Sequence, residues 1–403
     1  MTEAPSEAKW LNFDPLDSEF DKNFYPLMQS MRENCRAYRH KDTLVPVVSF
    51  FRYSDILPML KNWQEWSSER SEELKARGLG VATIMLSNDP PLHTKYRKIM
   101  APFFKPRSVA RIEQMIEHEI DRAMDRCLDN GEVDFVSDFA QQITTGLICQ
   151  ICGIPDADRE FILSGSAKVA EHYGKGLFWK ERQPEIEQNI AKVSWEFAAY
   201  FAEHVETLQR TDAKNILSEM AEQLDNKAEI VSMCALLLAS GTETTANVIT
   251  HGLLELIRHP AQFALLRGQP ELLDSAIEEI VRFRATLRRH ERVAKSAVTI
   301  DGVEISAGDS IVLWNASANR DPDFIENPEE FKIDRHPNNH IGYGHGIHSC
   351  VGNVLARAEL RLTFGRLLKT TRSIDEMRGD ASYESAGNGV MDVARRYSVR
   401  LSS

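Results

Sequence analysis

The residues most able to do chemistry in this sequence lie in the stretch Gly-Tyr-Gly-His-Gly-Ile-His-Ser-Cys-Val-Gly at positions 342–352. Its one cysteine, Cys350, comes just before a helix-compatible segment at 353–360. Glycines permit a tight turn and the close approach of a flat group, and the N–H groups of a loop and a helix start stabilise a thiolate. The spacing therefore predicts a metal-binding thiolate. The plain alternative is a glycine-rich loop with a passive cysteine.

A second candidate is a polar run inside an apolar helical pattern. Apolar periodicity predicts one long helix over 227–258, and its middle carries Ala-Ser-Gly-Thr-Glu-Thr-Thr at 239–245. Polar residues in a buried helix require a reason, and an acid such as Glu243 needs a partner there. A kink caused by glycine and threonine would explain the same run without chemistry.

These two segments require a mostly helical fold to position them. Apolar spacing also predicts helices over about 106–128, 134–153 and 185–209. Short β-branched or alternating segments predict a small amount of sheet at 44–51, 292–303, 310–314 and 397–401. Because no repeat or low-complexity tract interrupts the chain, we expect one domain over 1–403, with a polar, loosely ordered segment at about 1–12.

Composition and charge argue against several other classes of protein. A formal net charge of -12 disfavours a general nucleic-acid binder. The N-terminus lacks the features of a secretory signal, and the most apolar stretch, 231–239, is about half of the roughly 18 residues that span a membrane. Six scattered cysteines fit a reducing compartment, and Cys149 and Cys152 read as buried helix thiols. We therefore expect a cytoplasmic protein.

The loop at 342–352 resembles the haem-binding loop of the cytochrome P-450 family, Phe-Gly-x-Gly-x-His-x-Cys-x-Gly. Tyr343 replaces the usual Phe, and its hydroxyl needs a partner. Thr286 stands where a proline often follows the family's Glu-x-x-Arg motif. Further matches in family order include the segment 89–97, the run at 239–245, Arg292-Val-Ala and Ala-Asn-Arg-Asp-Pro at 318–322. The resemblance implies a mainly α fold with small β-sheets, and haem between the long central helix and the cysteine loop.

The resemblance also implies how haem b would be held. Cys350 would be the axial iron ligand. Histidine and arginine donors would bind the haem propionates, because paired N–H groups suit carboxylates. The implied haem contacts are His93, Arg97, Arg292, His348, Tyr343, Gly344 and Gly352.

Five further residues receive roles from the same resemblance. Gly241 would open space over the iron, and the acid–alcohol pair Glu243 and Thr244 would relay protons to bound O₂. Glu279 and Arg282, three residues apart on one helix face, would lock the core beneath the haem.

The implied activity is that of a monooxygenase that hydroxylates or O-dealkylates a small-to-medium, hydrophobic molecule. A thiolate ligand favours O–O cleavage. We expect Arg288 to select an anionic substrate if its side chain points into the pocket. The candidate substrate contacts are Ile84, Met85, Phe178, Leu236, Ala239, Val248, Arg288, Met391 and Val393.

Electrons from NAD(P)H would arrive through a separate ferredoxin, such as a [2Fe-2S] protein, and its reductase. The segment 90–112 holds six basic residues and no acidic one, so Lys105 and Arg107 are candidate docking contacts, together with Arg357, which matches a partner-contact position in the family. We expect a monomer without nucleic-acid or membrane partners. The alternatives are a haem-thiolate peroxygenase or isomerase and a haem sensor without turnover, and retention of Glu243 and Thr244 argues against them.

Overall fold

The computed structural model describes residues 13–70, 85–172, 175–209, 215–224, 226–377, 383–385 and 389–403. The segment 1–12, for which loose order is expected, lies outside this part of the chain. Helix predominates among the described residues and the sheets are small, which confirms the predicted class. No helix there combines the length and apolar character needed to cross a membrane.

The helices vary from single turns to 26 residues. They are α1 (Phe24–Asn34), α2 (Tyr53–Lys61), α3 (Leu92–Met100), α4 (Pro106–Ala110), α5 (Glu113–Cys127), α6 (Gln141–Cys152), α7 (Arg159–His172), α8 (Pro184–Gln209), α9 (Ile216–Ala221), α10 (Lys227–Gly241), α11 (Glu243–Arg258), α12 (Pro260–Gly268), α13 (Leu273–Phe283), α14 (Asn315–Ala318) and α15 (Asn353–Thr370). A π-helix, Phe135–Ala140, leads into α6.

The strands are short. They are β1 (Ala37–Arg39), β2 (Val47–Phe50), β3 (Trp66–Ser67), β4 (Glu132–Asp134), β5 (His290–Ala294), β6 (Val298–Ile300), β7 (Val303–Ile305), β8 (Ser310–Leu313), β9 (Ser373–Glu376), β10 (Tyr383–Ser385) and β11 (Ala394–Ser402).

The strands form one five-stranded sheet, one four-stranded sheet and one hairpin. The first has the order β1-β2-β8-β5-β3, in which only β2 and β8 run parallel. In the second, β11 pairs with β10, β4 and β9. The sheet segment predicted over 292–303 is divided among β5, β6 and β7, and Asp301 and Gly302, which both have positive φ, close the turn between β6 and β7.

The long helix predicted over 227–258 is interrupted at Thr242, where α10 ends and α11 begins. The Thr242 hydroxyl donates to the carbonyl of Leu238 at 2.9 Å, and the Thr244 hydroxyl donates to that of Ser240 at 2.5 Å. Hydroxyls bonded back to carbonyls four residues earlier bend helices. The break therefore lies at the polar run that the sequence singled out.

The main hydrophobic core surrounds the helices that hold the cysteine loop. Buried residues of α5, α6, α11, α13 and α15 form one contiguous cluster. Helix α15 begins at Asn353, three residues after Cys350, and packs against α5, α11 and α13. This packing fixes the end of the loop relative to the central helices.

Candidate active site

A cavity of about 350 Å³ lies where the junction of α10 and α11, strand β5 and the cysteine loop meet. It brings together residues as far apart in the chain as Ser68 and Val390, which are 322 positions apart. Its lining includes most of the predicted haem and oxygen residues, namely His93, Arg97, Gly241, Thr244, Arg292, Tyr343, His348, Cys350 and Gly352.

Cys350 presents its thiol to this cavity, and for that reason it keeps accessible surface despite its deep position. Burial raises the pKa of the Cys350 thiol, whereas the N–H of Gly352 and the cations of Arg97 and Arg357 lower it. These opposing groups are those that would stabilise a metal-bound thiolate.

The glycines of the loop are required by its shape. Gly344 and Gly346 have φ values of +67° and +70°, a region that side chains disfavour. A Cβ at position 346 would lie 2.3 Å from the carbonyl oxygen of Leu60 at the end of α2. At Gly346 the loop therefore packs backbone against backbone.

One wall of the cavity carries unsatisfied donors and positive charge. His93 and Arg97 lie one turn apart on α3, and the rings of His93 and His348 have centroids 4.4 Å apart. The Nε2 atoms of both histidines are buried and lack a hydrogen-bond partner among the described residues. Burial lowers the pKa of Arg292 on β5 to about 10, so its guanidinium remains charged at neutral pH. Such a wall suits an anionic group with two carboxylates.

Tyr343 illustrates a departure from the family loop. The Tyr343 backbone carbonyl accepts a hydrogen bond from the N–H of Cys350 at 2.8 Å, while its buried hydroxyl has no partner among the residues that the structure describes. The Arg357 guanidinium lies 4.3 Å from the ring centroid and binds Glu278 through two nitrogens at 2.7 and 2.9 Å. A paired cation thus covers the ring beside the cysteine.

The acid and the alcohol of the polar run point in different directions. Thr244 lines the cavity, whereas Glu243 is 3% exposed and does not. Its Oε1 has no partner within the described part of the chain, and burial raises the pKa of this carboxyl against the opposing effect of Arg395. The relay role of Glu243 stays a prediction, and it requires the side chain to turn or water to bridge the gap.

The Glu-x-x-Arg pair lies fully buried on α13. Arg282 Nε and Nη2 donate to the two Glu279 carboxylate oxygens at 2.7 and 2.8 Å. Arg335 adds a second cation, with its Nε 3.1 Å from Glu279 Oε2. The remaining Arg282 donors reach three carbonyls of the segment that leads to the cysteine loop, those of Asn319, Pro328 and Glu330.

Comparison with known proteins agrees with this geometry. The family model described as Cytochrome P450 matches residues 177–379. The vitamin D(3) 25-hydroxylase of Pseudonocardia autotrophica is 32% identical over 335 residues, which cover 80% of each chain. The chain belongs to the cytochrome P450 family.

The biotin biosynthesis cytochrome P450 of Bacillus subtilis is 29% identical over 89% of this chain and 91% of its own. The structure of CYP109E1 from Bacillus megaterium in complex with testosterone has a TM-score of 0.87 at 26% identity, covering 95% of this P450 and 99% of that chain.

As a cytochrome P450, the protein is a haem-dependent monooxygenase of a family that uses O₂ and electrons derived from NAD(P)H. The cavity fits haem on its own chemistry, because it combines an accessible thiol with buried imidazoles whose Nε2 atoms lack a partner among the described residues and with the guanidinium groups of Arg97 and Arg292. Cys350 would bind the iron, and His93, Arg97, Arg292 and His348 would hold the two carboxylates.

The predicted substrate contacts divide into two groups. Met85, Leu236 and Val248 line the cavity. Ile84 lies outside the described residues. Phe178, Ala239, Met391 and Val393 are not among the residues that line the cavity, whereas the sequence neighbours of three of them, Leu177, Ser240 and Val390, do line it.

The side chains of Phe178, Met391 and Val393 pack elsewhere. Phe178 lies against His40, with ring centroids 4.9 Å apart, and under the guanidinium of Arg289. Met391 and Val393 belong to a small buried cluster. Their neighbours Leu177 and Val390 reach the cavity.

The structure does not meet the condition set for Arg288 as a selector of anionic substrates, because its side chain does not line the cavity. Its buried guanidinium forms ion pairs with Asp21 and, at 3.3 Å, with Asp392, and it lies 4.2 Å from the ring centroid of Phe24. The neighbouring Arg289 lines the cavity instead and is paired with Glu291 at 2.7 Å. Both cations therefore already have carboxylate partners.

Two ionisable residues that line the cavity, Glu359 and His290, were not predicted from the sequence. Glu359 on α15 is 1% exposed, and burial raises the pKa of its carboxyl to about 8. It lies in a helical stripe of buried residues that includes Leu355 and Thr363, so an acid on an apolar face was the available signal. The other residue is His290, at the start of β5.

Proposed function

We propose that this P450 inserts one oxygen atom of O₂ into a small-to-medium hydrophobic molecule, by hydroxylation or O-dealkylation. The observation that carries the proposal is the apolar lining of the cavity that contains Cys350 and Thr244. Side chains that make this lining apolar include Met85, Met100, Phe104, Leu236, Leu237 and Val248. Pockets of this size and lining bind small organic ligands.

The residues of the chain would divide the work as follows. Haem, when bound, supplies the iron at which O₂ is activated. Cys350 provides the thiolate ligand. The hydroxyl of Thr244, which donates to the Ser240 carbonyl, lies in the cavity lining and would carry a proton into the cavity. Glu243, whose pKa burial raises, would hold a proton behind it.

The test is reconstitution with a ferredoxin, its reductase and ¹⁸O₂, using ligands that shift the ferric spectrum. We expect one labelled oxygen atom in the product. Proton transfer by a positioned group contributes on the order of 10²-fold or more, so Thr244→Ala should lower product formed per NAD(P)H oxidised far more than Thr244→Ser. Equal turnover with peroxide alone and full activity of Thr244→Ala would refute the proposal.

We also propose that electrons arrive from an acidic ferredoxin at the cysteine side of the molecule. Lys105 and Arg107 are exposed at the start of α4, which packs against α15. A groove between α4, α13 and α15 lies beside them, and its lining includes Arg357. Because Arg357 is already paired with Glu278, we expect Lys105 and Arg107 to supply more of the attraction.

Charge reversal tests this surface. The double variant Lys105→Glu and Arg107→Glu should slow reduction by ferredoxin at low salt by about tenfold or more, and the difference should shrink as salt rises. The matched control is Lys192→Glu on α8, a helix that packs on α7 and α10. Unchanged reduction rates at low salt in the double variant would refute the docking proposal.

A further inference from the structure

His290 occupies a position next to the residues that would bind the haem carboxylates. It opens β5 two residues before Arg292, and both line the cavity. Residues two apart in a strand face the same side. Strand β5 pairs with β8 through both positions, His290 opposite Leu313 and Arg292 opposite Ile311, so the register of this face is fixed.

The imidazole of His290 has an unused hydrogen-bonding atom. Its Nε2 is buried and has no partner among the described residues. This atom points toward the cysteine loop, since a Cβ added to Gly344 would lie 3.4 Å from it. Buried polar side chains nearly always have a partner, so this unpaired nitrogen indicates a group that the protein chain does not supply.

The same condition marks the other two histidines of the cavity. The Nε2 atoms of His93 and His348 are also buried without a partner in the described part of the chain. Burial and the nearby cations of Arg292 and Arg289 lower the pKa of His290 to about 3. The imidazole is therefore neutral and offers one N–H donor, and its surroundings favour a negatively charged acceptor.

We propose that His290 is a third histidine contact to the haem carboxylates, acting beside His93, His348 and the guanidinium of Arg292. The inference rests on the assignment of the cavity to haem. The carboxylate of Glu291, the acid next in sequence, is paired with Arg289, and only its backbone carbonyl accepts a hydrogen bond from Arg292, at 2.7 Å.

The experiment compares haem-loaded His290→Leu, His290→Gln and wild-type protein by the rate of haem transfer to excess apomyoglobin. A hydrogen bond to a charged group is lost in the leucine variant, which should release haem on the order of tenfold faster or more. Glutamine retains an N–H donor at a similar reach and should stay within about threefold of wild type. Resonance Raman bands of the haem propionates should shift in His290→Leu and not in His345→Leu, a control at an exposed position of the cysteine loop.

Each outcome decides the matter. Unchanged haem release and unchanged propionate bands in His290→Leu would overturn the inference while leaving the haem-thiolate assignment intact. Equal losses in both variants, with lowered thermal stability and unshifted propionate bands, would assign His290 to packing and also overturn it. A wild-type carbon-monoxide adduct without the thiolate-type Soret band would overturn the haem assignment itself.

Discussion

Replacing Arg282 by lysine should lower the free energy of unfolding by about 2 to 6 kcal/mol, because lysine keeps the charge but cannot make all the hydrogen bonds of the guanidinium. Arg282 is fully buried, and its nitrogens make five hydrogen bonds, two to Glu279 and three to backbone carbonyls. Lysine has three donors on one atom. At least two buried acceptors would lose their partner, at about 1 to 3 kcal/mol each, while Arg335 would still neutralise Glu279.

The assay is urea unfolding of the haem-loaded protein, followed both by far-ultraviolet circular dichroism and by the Soret band. The control is Arg361→Lys on α15, because Arg361 pairs with Glu113 and both side chains are more than a third exposed. We expect that variant to change stability by at most about 0.5 kcal/mol. A loss below about 1 kcal/mol in Arg282→Lys would show that the buried network can be satisfied without the guanidinium, and would refute the reasoning.

Two other substitutions test buried charges around the cavity. Glu359 has a native pKa of about 8 against 4.5 for the ordinary group. Between those two pKa values the native state binds a proton that the unfolded state has released, so this carboxyl makes the stability fall as the pH rises. In urea titrations, Glu359→Gln should therefore reduce the stability lost between about pH 6 and pH 9 by about 2 to 3 kcal/mol. An unchanged pH dependence would contradict this expectation. Arg288→Leu should destabilise the protein by about 3 kcal/mol, because Asp392 loses one of its buried cations. Difference spectra should nevertheless show equal changes in affinity for neutral and for carboxylate-bearing ligands. A selective loss of affinity for the carboxylate-bearing ligand would restore a role for Arg288 in substrate selection.

Local requirements made some features predictable from the sequence. The glycines at 344 and 346 reveal backbone with positive φ, and a cysteine between glycines at a helix start indicates a thiolate site. The span of the central helices also followed from apolar periodicity. Their interruption at Thr242 did not, because it depends on which carbonyl each hydroxyl selects.

Side-chain direction was the main source of error. Arg288 and Arg289 are adjacent, and only the second reaches the cavity; the same holds for Phe178 and Leu177. A one-residue difference decides which side of a chain segment faces a pocket, and in irregular segments no periodicity fixes that choice. Tertiary packing on Phe24 and the distant carboxylate of Asp392 decided it for Arg288.

The contact between Gly346 and the carbonyl of Leu60 has a consequence for engineering. Since no side chain fits there, the cysteine loop and the end of α2 must be complementary in shape although about 285 positions separate them. A chimaera that imports the loop from another P450 should fold best when it imports the matching end of α2 as well. Recombination libraries that place a crossover anywhere between these two segments should therefore lose haem-containing members more often than libraries that keep both from one parent.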